Sequence, residues 1–496
     1  MELIGFDALA AGASAVFELE ILAWILVGVL LGFVFGASPG LTATTGVAIA
    51  TPLTFGASFE SAMALLLGIY SAGYFAGSIP AILINTPGSP GNAATALDGY
   101  RMARAGKADL AVSLAIAASV VGGIISIIVL MVAAPNLASF ALKFTSIEYF
   151  ALGLFGLICV ASVSGESIVK GVLGAAIGML LSTVGIDEVG GMTRFTFGIA
   201  EFQGGIPLIP ALIAFFAVSE MLMQATSSGV KDALPAQARS PVSRLPRLLF
   251  GHRWLLAKSS LIGTFIGILP GTGPTIASWI AYGQVGGERD ETAQREGSEK
   301  GLVAAESANN AVTGGALVPL LTLGIPGDTV TAVLIGALLI QGIDPGPFFI
   351  FEHADLFAQI LLILLVAALM TLVLGLGVRS VFPMILRIPA RILLPIIAVL
   401  CVTGSFAVSH APFEVGIVAI LGTLGYVLSR FGFSMAPIVI GLVLGPIIEV
   451  NLRNGLIAND MNFAVFVTRP ISAVLLLAMI VTVVWAAWTS ASRRGS

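Results

Sequence analysis

The chain has few charged residues for its length. Only 10% of its 496 residues are Asp, Glu, Lys or Arg, whereas 57% are hydrophobic. A soluble domain carries about 25% charged residues, so this chain has too few to cover a surface that faces water. Its mean hydropathy is +1.03, and its length is enough for two domain-sized halves. The composition therefore predicts an integral membrane protein.

The chain also lacks the residues that several other functions require. Its only cysteines, Cys159 and Cys401, lie in apolar segments and indicate no disulfide framework. No run of basic and aromatic residues suggests a nucleic acid partner. No G-x-x-x-x-G-K-[ST] loop for binding ATP is present, and no basic region precedes the first apolar stretch as in a cleavable signal peptide. No cofactor and no metal site are predicted.

One pattern resembles an enzyme motif. GASPG at 36–40 fits the G-x-S-x-G elbow of serine hydrolases. The histidines lie in loops or at span ends, and the matching segment GILPG has no serine, so the pattern does not support a catalytic Ser38. A membrane-embedded enzyme would need clustered His or Cys or paired acids at span depth, which are absent. We predict that the chain is not an enzyme.

Long apolar segments recur along the chain, and a helix that crosses a bilayer needs about 20 such residues. They lie at 20–38, 59–84, 108–133, 147–163, 167–186, 205–225, 256–270, 302–324, 355–378, 391–409, 412–429, 434–448 and 470–489. Shorter pieces rich in Gly, Thr and Pro lie at 39–57, 85–99, 271–287 and 325–341. These are typical of re-entrant or broken helices, which persist at membrane depth only beside protein or water. We predict an all-α polytopic membrane protein with roughly 10 to 14 transmembrane helices.

The loop charges predict the orientation. Lys and Arg cluster at 101–107, 231–258 and 379–391 and at the C-terminus, whereas acids cluster at the N-terminus and at 344–355. Because cytoplasmic loops are enriched in Lys and Arg, we expect a periplasmic N-terminus and a cytoplasmic C-terminus.

The two halves of the sequence resemble each other. Four matches follow in the same order: GFVFGASPG (32–40) with GTFIGILPG (263–271), IPAILINTPG (79–88) with VPLLTLGIPG (318–327), Cys159 with Cys401, and GMLLSTVG (178–185) with GYVLSRFG (425–432). They predict a first membrane repeat at 20–230, a basic cytoplasmic linker at 231–255 and a second repeat at 256–490. The basic loop 101–107 corresponds to the acidic loop 342–355, so we expect inverted topology, as in many secondary transporters.

Pro-Gly pairs interrupt apolar segments at matching positions of both repeats. Such breaks free backbone amides and carbonyls, and half-helix N-termini attract anions while freed carbonyls hold cations. The candidate substrate- or ion-binding residues are Pro39, Gly40, Thr42, Thr44, Thr45, Asn85, Thr86, Pro87, Gly88, Pro270, Gly271, Thr272, Gly273, Asn309, Asn310, Pro326 and Gly327. The alternative is a set of kinks that only pack against small neighbours.

Three acidic residues lie within or beside apolar segments. Glu306 and Asp328 are candidates for ion or proton coupling, since a carboxylate deep in a membrane is costly. Both also lie near plausible span ends, where a solvated carboxylate costs little, and both interpretations stay open. For Glu220 we favour the solvated one. No intramembrane Lys or Arg is an obvious substrate clamp, so an anionic substrate would rely on backbone amides and on Asn and Thr side chains.

Four motifs together resemble the large permease subunit of tripartite tricarboxylate transporters, the TctA family. They are G-x-x-P-G-L followed by TPLTF, INTPGSPGNAATALDGY, G-x-LPGTGPTIASWIAYG and ESANNAVTGGALVPLLTLGIPGD, and the resemblance covers the chain from about Glu20 to Pro470. It implies a secondary importer in the bacterial inner membrane, working with a small four-span membrane subunit and a periplasmic substrate-binding protein. An H+ or Na+ gradient would drive uptake of a di- or tricarboxylate such as citrate.

The chain departs from the family pattern at three places. It has DGYR (98–101) where DGYP is common, AES (305–307) where APE is common, and Asp328 where a serine often follows GIPG. The last two lie beside the candidate site and bear on the substrate or the coupling ion. The alternative functions are a stand-alone carboxylate carrier without a binding protein and, from a different class, a passive channel or an embedded enzyme. Rocking and elevator movements are both open.

Overall fold

The computed structural model describes residues 6–163, 167–226, 242–271, 273–285 and 295–494. Thr272 and the linker residues 231–241 lie outside these ranges. The helices of the first half are α1 (Phe6–Val16), α2 (Leu19–Ala37), α3 (Ala43–Ala50), α4 (Phe59–Ala76), α5 (Ser78–Ile84), α6 (Ala93–Met102), α7 (Ala108–Ala141), α8 (Ser146–Val163), α9 (Ile168–Ser182), α10 (Leu208–Ile213) and α11 (Ser219–Thr226).

The second half continues in the same way. Its helices are α12 (Leu245–Gly251), α13 (Arg253–Ile268), α14 (Gly273–Gly283), α15 (Glu299–Leu323), α16 (Thr329–Ile340), α17 (Phe349–Glu352), α18 (Ala354–Val378), α19 (Phe382–Ile385), α20 (Ala390–Ser409), α21 (Pro412–Arg430), α22 (Met435–Ile457), α23 (Val465–Thr468) and α24 (Pro470–Arg494). Short 3₁₀ turns lie at Thr51–Thr54, Pro90–Asn92, Ala200–Gly204 and Val242–Arg244, and π turns at Ala103–Lys107 and Ala214–Val218. The strands found in the described ranges, β1 (Gly185–Ile186) and β2 (Thr193–Arg194), pair antiparallel.

The prediction of an all-α polytopic membrane protein is confirmed. Within the described residues, eight helices are long and apolar enough to cross a membrane, and four shorter apolar helices accompany them. Each predicted apolar segment coincides with helix, and the shorter Pro-Gly-rich pieces contain the short helices α3, α6, α14 and α16. The range of roughly 10 to 14 spans stays a prediction, because the shorter helices do not decide it.

The helices form two compact units. Unit 1 comprises the described residues up to 137 together with 224–397, and unit 2 comprises 138–223 together with the described residues from 398 onward. Each unit therefore contains segments of both predicted repeats. The repeat boundaries and the linker stay predictions.

In unit 1, α2 runs parallel to α4. A Cβ atom at Gly28 would lie 3.1 Å from the Gly68 Cα, and one at Gly32 would lie 2.9 Å from the Ala72 Cβ. The residue numbers rise together along the contact, and small residues let the two backbones approach closely, as in other membrane helix pairs. Because consecutive parallel helices need a return path, α3 must bring the chain back. The pair α2–α3 thus forms a helical hairpin.

The second repeat is built in the same way. A Cβ at Gly263 would lie 2.8 Å from the Ala308 Cα, and one at Gly267 would lie 2.9 Å from the Val312 carbonyl oxygen. Helix α13 is therefore parallel to α15, and α13–α14 forms the second helical hairpin. Helix α6 runs against α15 in the opposite direction, with Gly99 beside Leu302 and Gly91 beside Asn309. This antiparallel contact joins elements of the two predicted repeats, and the inverted topology stays a prediction.

Unit 2 is held together by similar close helix pairs. Gly178 of α9 packs on the backbone of α22 at Ile438, and Gly422 of α21 packs on Val218. Cys159 and Cys401 are both buried free thiols, in agreement with the sequence.

Two ion pairs fasten the β1–β2 loop to the end of α22. The Arg194 guanidinium donates to both carboxylate oxygens of Glu449, at 2.6 and 3.1 Å, and Arg453 donates to Asp187 at 2.5 Å. The hydrogen bond from Arg453 is the main reason that the pKa of Asp187 is lowered from 3.8 to about 2. The loop is thereby fixed to the helix by charged groups.

The Asp187 ion pair predicts a specific loss of stability in acid. Because the pKa of this carboxyl is lower in the folded protein than the ordinary value of about 3.9, its contribution is present above about pH 4 and is lost as the pH falls through about 2. Thermal unfolding of Asp187→Asn should therefore differ most from wild type above pH 4, and the difference should shrink between pH 4 and pH 2. A constant difference across this range would contradict the assignment.

Candidate functional site

The four Pro-Gly breaks of unit 1 have matching geometry in the two repeats. Gly40 and Gly271, at the tips of the hairpins, have φ angles of +82° and +76°. Asn85 and Gly324, at the ends of α5 and α15, both take the left-handed conformation that ends helices, with φ angles of 54° and 68°. The sequence alignment of the repeats therefore corresponds to equivalent backbone conformations.

Each hairpin tip contacts the break of its own repeat. A Cβ at Gly88 would lie 2.5 Å from the Gly36 carbonyl oxygen and 2.7 Å from the Gly77 Cα. In the second repeat, a Cβ at Gly327 would lie 2.7 Å from the Gly267 carbonyl oxygen. These approaches leave no room for a side chain, and therefore both breaks require glycine here.

Each break also meets the hairpin of the other repeat. The hydroxyls of Thr44 on α3 and Thr329 on α16 share a hydrogen bond of 2.8 Å. On the other side, a Cβ at Gly91 would lie 2.9 Å from the Pro274 Cβ at the start of α14. The N-termini of α3 and α16 thus lie together, and so do those of α14 and the Pro90–Asn92 turn. The partial positive charge of a helix N-terminus favours an anion.

Asp328 is buried and caps α16. Its Oδ1 accepts hydrogen bonds from the backbone amide and the hydroxyl of Thr331, both at 2.7 Å. Its Oδ2 accepts from the hydroxyl of Tyr70, at 2.8 Å, and from that of Tyr74. The interpretation of Asp328 as a solvated carboxylate at a span end is therefore wrong. The carboxylate stands inside the protein with four donors.

Glu306 is also buried, with no exposed surface. It lies well inside α15, and its carboxylate accepts hydrogen bonds from the hydroxyls of Thr95 on α6 and Ser119 on α7. The solvated interpretation is wrong here too, because the polar helix α15 is enclosed by protein rather than ending at a membrane surface. Glu220, for which solvation was favoured, is only partly buried.

Asn309 and Asn310 follow on the same helix, and both are buried. Asn309 donates from Nδ2 to the Tyr74 carbonyl oxygen at 3.2 Å, and the Nδ2 of Asn310 lies 3.5 Å from the Ser71 carbonyl oxygen. Among the described residues, the side-chain oxygens of both asparagines have no hydrogen-bond partner. Buried polar atoms are nearly always paired, so two unpaired acceptors on neighbouring residues indicate a place for a ligand.

The remaining predicted residues are distributed over the breaks. Thr42 caps α3 by accepting a hydrogen bond from the Thr45 amide at 3.2 Å. Pro39, Gly40 and Asn85 are exposed, while Thr86, Pro87, Pro270, Gly271, Gly273, Pro326 and Gly327 are partly or fully buried within the breaks, and Thr272 lies outside the described residues. No Lys or Arg is buried in the described ranges, and the lack of a basic clamp stays a prediction.

The sequence interpretation missed several side chains that this region contains. Tyr70 and Tyr74 bind Asp328, Asn92 bonds to the Tyr74 carbonyl oxygen, and Thr95 and Ser119 bind Glu306. The tyrosines had a weak signal, because they recur at i and i+4 on an otherwise apolar helix and hence share one face. Asn92, Thr95 and Ser119 had no signal in the sequence other than being polar.

Comparison with known proteins identifies the family. The Tripartite tricarboxylate transporter TctA family matches residues 22–440. The chain belongs to this family. TctA-family proteins are components of membrane transporters, which agrees with the prediction that the chain is not an enzyme.

Two relatives come from Agrobacterium vitis. The "Uncharacterized 52.8 kDa protein in TAR-I ttuC' 3'region" is 36% identical over 463 residues, covering 91% of this chain and 90% of the relative.

The second relative of the TctA-family chain is shorter. The "Uncharacterized protein in TAR-II ttuC' 3'region" is 38% identical over 215 residues, which cover 43% of this chain and 89% of the relative. No solved structure matches the chain. The family match extends over both hairpins and all four breaks, so the breaks of unit 1 belong to the TctA-family region of the chain.

Proposed function

We propose that the chain is the large permease subunit of a tripartite tricarboxylate transporter and imports a di- or tricarboxylate such as citrate. The observation that carries the proposal is the convergence of half-helix N-termini from both repeats in unit 1. Aligned amides at a helix N-terminus bind carboxylates without a basic side chain. The absence of buried Lys and Arg from the described residues leaves this role to the amides and to Asn and Thr side chains.

The buried acids support coupling to a cation. Glu306 and Asp328 place two carboxyl groups in the same unit as the proposed anion site. A substrate with two or three negative charges would be repelled there unless a cation enters with it, because charges interact strongly in a poorly screened interior. We therefore propose that an H+ or Na+ gradient drives uptake by alternating access.

The contacts within unit 1 support the proposed orientation in the inner membrane. Lys107 pairs with Glu296 at 2.7 Å, and Arg379 pairs with Asp109 at 2.8 Å. The basic segment 101–107 thus lies near Arg379, because Asp109 follows that segment closely in the chain. We expect this proximity if both basic regions lie on the cytoplasmic face. We propose a periplasmic N-terminus and a cytoplasmic C-terminus.

Uptake into proteoliposomes tests the proposal. Vesicles containing the chain, its small membrane subunit and the periplasmic binding protein should accumulate labelled citrate when an H+ or Na+ gradient is imposed. Equilibration without a gradient would indicate a channel and contradict the proposal. Accumulation without the binding protein would instead favour a stand-alone carrier, and chemical conversion of the substrate would indicate an enzyme.

Replacing Asn309 or Asn310 with leucine should lower uptake about tenfold or more. Each change removes a buried amide that donates to the backbone of α4 and whose side-chain oxygen has no partner among the described residues, a loss of about 1–3 kcal/mol. The measurement is uptake by purified vesicles with equal amounts of each variant. Asn451→Leu is a matched control, since Asn451 lies on a helix of unit 2 and donates only to Ile447. Wild-type uptake by both α15 variants would remove these residues from the site.

A further inference from the structure

The two buried carboxyl groups of unit 1 are held in different ways. One of the four donors to Asp328 is the backbone amide of Thr331, which cannot accept a hydrogen bond. Asp328 is thereby tied to the N-terminus of α16 as its cap. Glu306 is bound by two hydroxyl groups, one on each oxygen. A hydroxyl donates or accepts, so the same two partners can bind the protonated acid.

The partners of Glu306 carry no charge. The third polar group that interacts with its carboxylate is the side chain of Asn92. A buried carboxylate without a positive partner is costly, so a neutral, protonated form of Glu306 costs less than a charged one. A change in the charge nearby, such as the arrival or departure of an anionic substrate, therefore changes how readily this carboxyl holds a proton.

The ionisable groups on the surrounding helices are few. On α6, Asp98 lies beside Gly301, near the start of α15. On α14, Tyr282 packs in a cluster with Ala94 and Ala305. Helix α7 contributes Ser119 toward Glu306, and its Asp109 pairs with Arg379. Helix α13 presents Gly263 to α15, and the tyrosines of α4 bind Asp328.

Glu306 is connected to the breaks through asparagines. Asn92, which interacts with Glu306, donates from Nδ2 to the Tyr74 carbonyl oxygen at 3.3 Å and accepts from the Ser89 hydroxyl at 2.7 Å. Asn309, on the same helix as Glu306, donates to that same Tyr74 carbonyl oxygen. Asn92 belongs to the Pro90–Asn92 turn and thus links the Glu306 carboxyl to that turn. Through the Tyr74 carbonyl oxygen it also links the carboxyl to the junction of α4 and α5.

We propose that Glu306 is the carboxyl that carries the coupled proton, and that Asn92 transmits its protonation state to the Pro90–Asn92 turn. Glu306 takes up one proton when substrate enters from outside and releases it on the cytoplasmic side, and no other bond changes. Asp328 caps and positions α16. This inference rests on the proposed function and commits its coupling ion to H+.

Glu306→Gln tests the proposal because glutamine resembles the protonated acid. Two measurements on the full complex in vesicles are compared, using labelled citrate as the probe. One is accumulation driven by an imposed pH gradient, and the other is exchange between equal citrate concentrations without a gradient. We expect accumulation to fall to the level of empty vesicles while exchange keeps the same order of magnitude and loses its dependence on pH. Asn92→Ala should shift the pH profile of exchange.

Glu414→Gln is the matched control. Glu414 is a buried acid of unit 2, and its substitution should leave gradient-driven accumulation intact. Accumulation by Glu306→Gln equal to wild type would overturn the inference, as would wild-type uptake that follows a Na+ gradient and ignores pH. Both results leave the proposed function standing, whereas it fails if the wild-type complex transports no carboxylate. If Glu306→Gln does not assemble, proton entry with citrate is compared between wild type and Glu306→Ala using a pH-sensitive dye, and proton entry equal to wild type overturns the inference.

Discussion

Replacing Gly88 or Gly327 with alanine is expected to reduce carboxylate uptake about a hundredfold. The new Cβ at Gly88 would lie 2.5 Å from the Gly36 carbonyl oxygen, and the one at Gly327 would lie 2.6 Å from the Ala316 Cα. Both neighbours are backbone atoms of packed helices and cannot turn aside as a flexible side chain could. The hairpin tip must then shift, and a displacement of about 1 Å at a site that holds a substrate costs this much in rate. Uptake by reconstituted vesicles measures the effect.

The chain offers a control for the glycine substitutions. Gly283 and Gly346 have no atom within 4 Å of an added Cβ. Alanine at either position should leave uptake near wild type. Size-exclusion chromatography of each variant separates a shifted hairpin from failed assembly, because overpacking costs only about 1–3 kcal/mol. Wild-type uptake by both Gly88→Ala and Gly327→Ala would show that the close approach of tip and break is not needed for transport.

The breaks could be found from the sequence because they have a local chemical signature. A helix cannot continue through Pro-Gly, and the same pair at aligned positions indicates the same break twice. Asn85 shows the limit of this reasoning. The sequence suggests a ligand amide there, and its use as a ligand stays a prediction, but the structure gives the residue the left-handed conformation that Gly324 takes in the other repeat. Asparagine tolerates this conformation better than most residues, so its presence is explained by the backbone alone.

The contacts that join distant segments could not be predicted. Tyr70 and Asp328 are 258 residues apart, and no periodicity within either helix identifies the other. The same is true of the two compact units, each of which takes segments from both repeats. The burial of Glu306 was left open because the residue lies close to the start of the predicted apolar segment 302–324, where a span end could place it in water, whereas neighbouring helices enclose it. Composition indicates which helices face lipid but not which polar helix lies within the protein.

Asp328→Ala is expected to lower the free energy of unfolding by about 3–5 kcal/mol. The change removes the cap of α16 and leaves the hydroxyls of Tyr70 and Tyr74 without their acceptor. A lost cap costs about 1 kcal/mol, and each buried donor left unpaired costs about 1–3 kcal/mol. Titration of purified protein from mild detergent into denaturing detergent measures the loss. Because α16 begins with Thr329, which bonds to Thr44 on the opposite hairpin, uptake should fall as well.

Two further variants separate the cap from the tyrosines. Thr42→Ala removes the equivalent cap of α3, which binds one backbone amide and no tyrosine, and should cost about 1 kcal/mol. The double variant Tyr70→Phe with Asp328→Ala should be less destabilised than the sum of the two single changes, because the first removes a donor that the second would leave unpaired. If the losses of unfolding free energy in the two single variants add strictly, or if Asp328→Ala costs no more than Thr42→Ala, then Asp328 acts only as a helix cap. A loss well above that of the cap, with strong coupling to Tyr70, would instead mean that this side chain holds α4 and α16 together across the two predicted repeats.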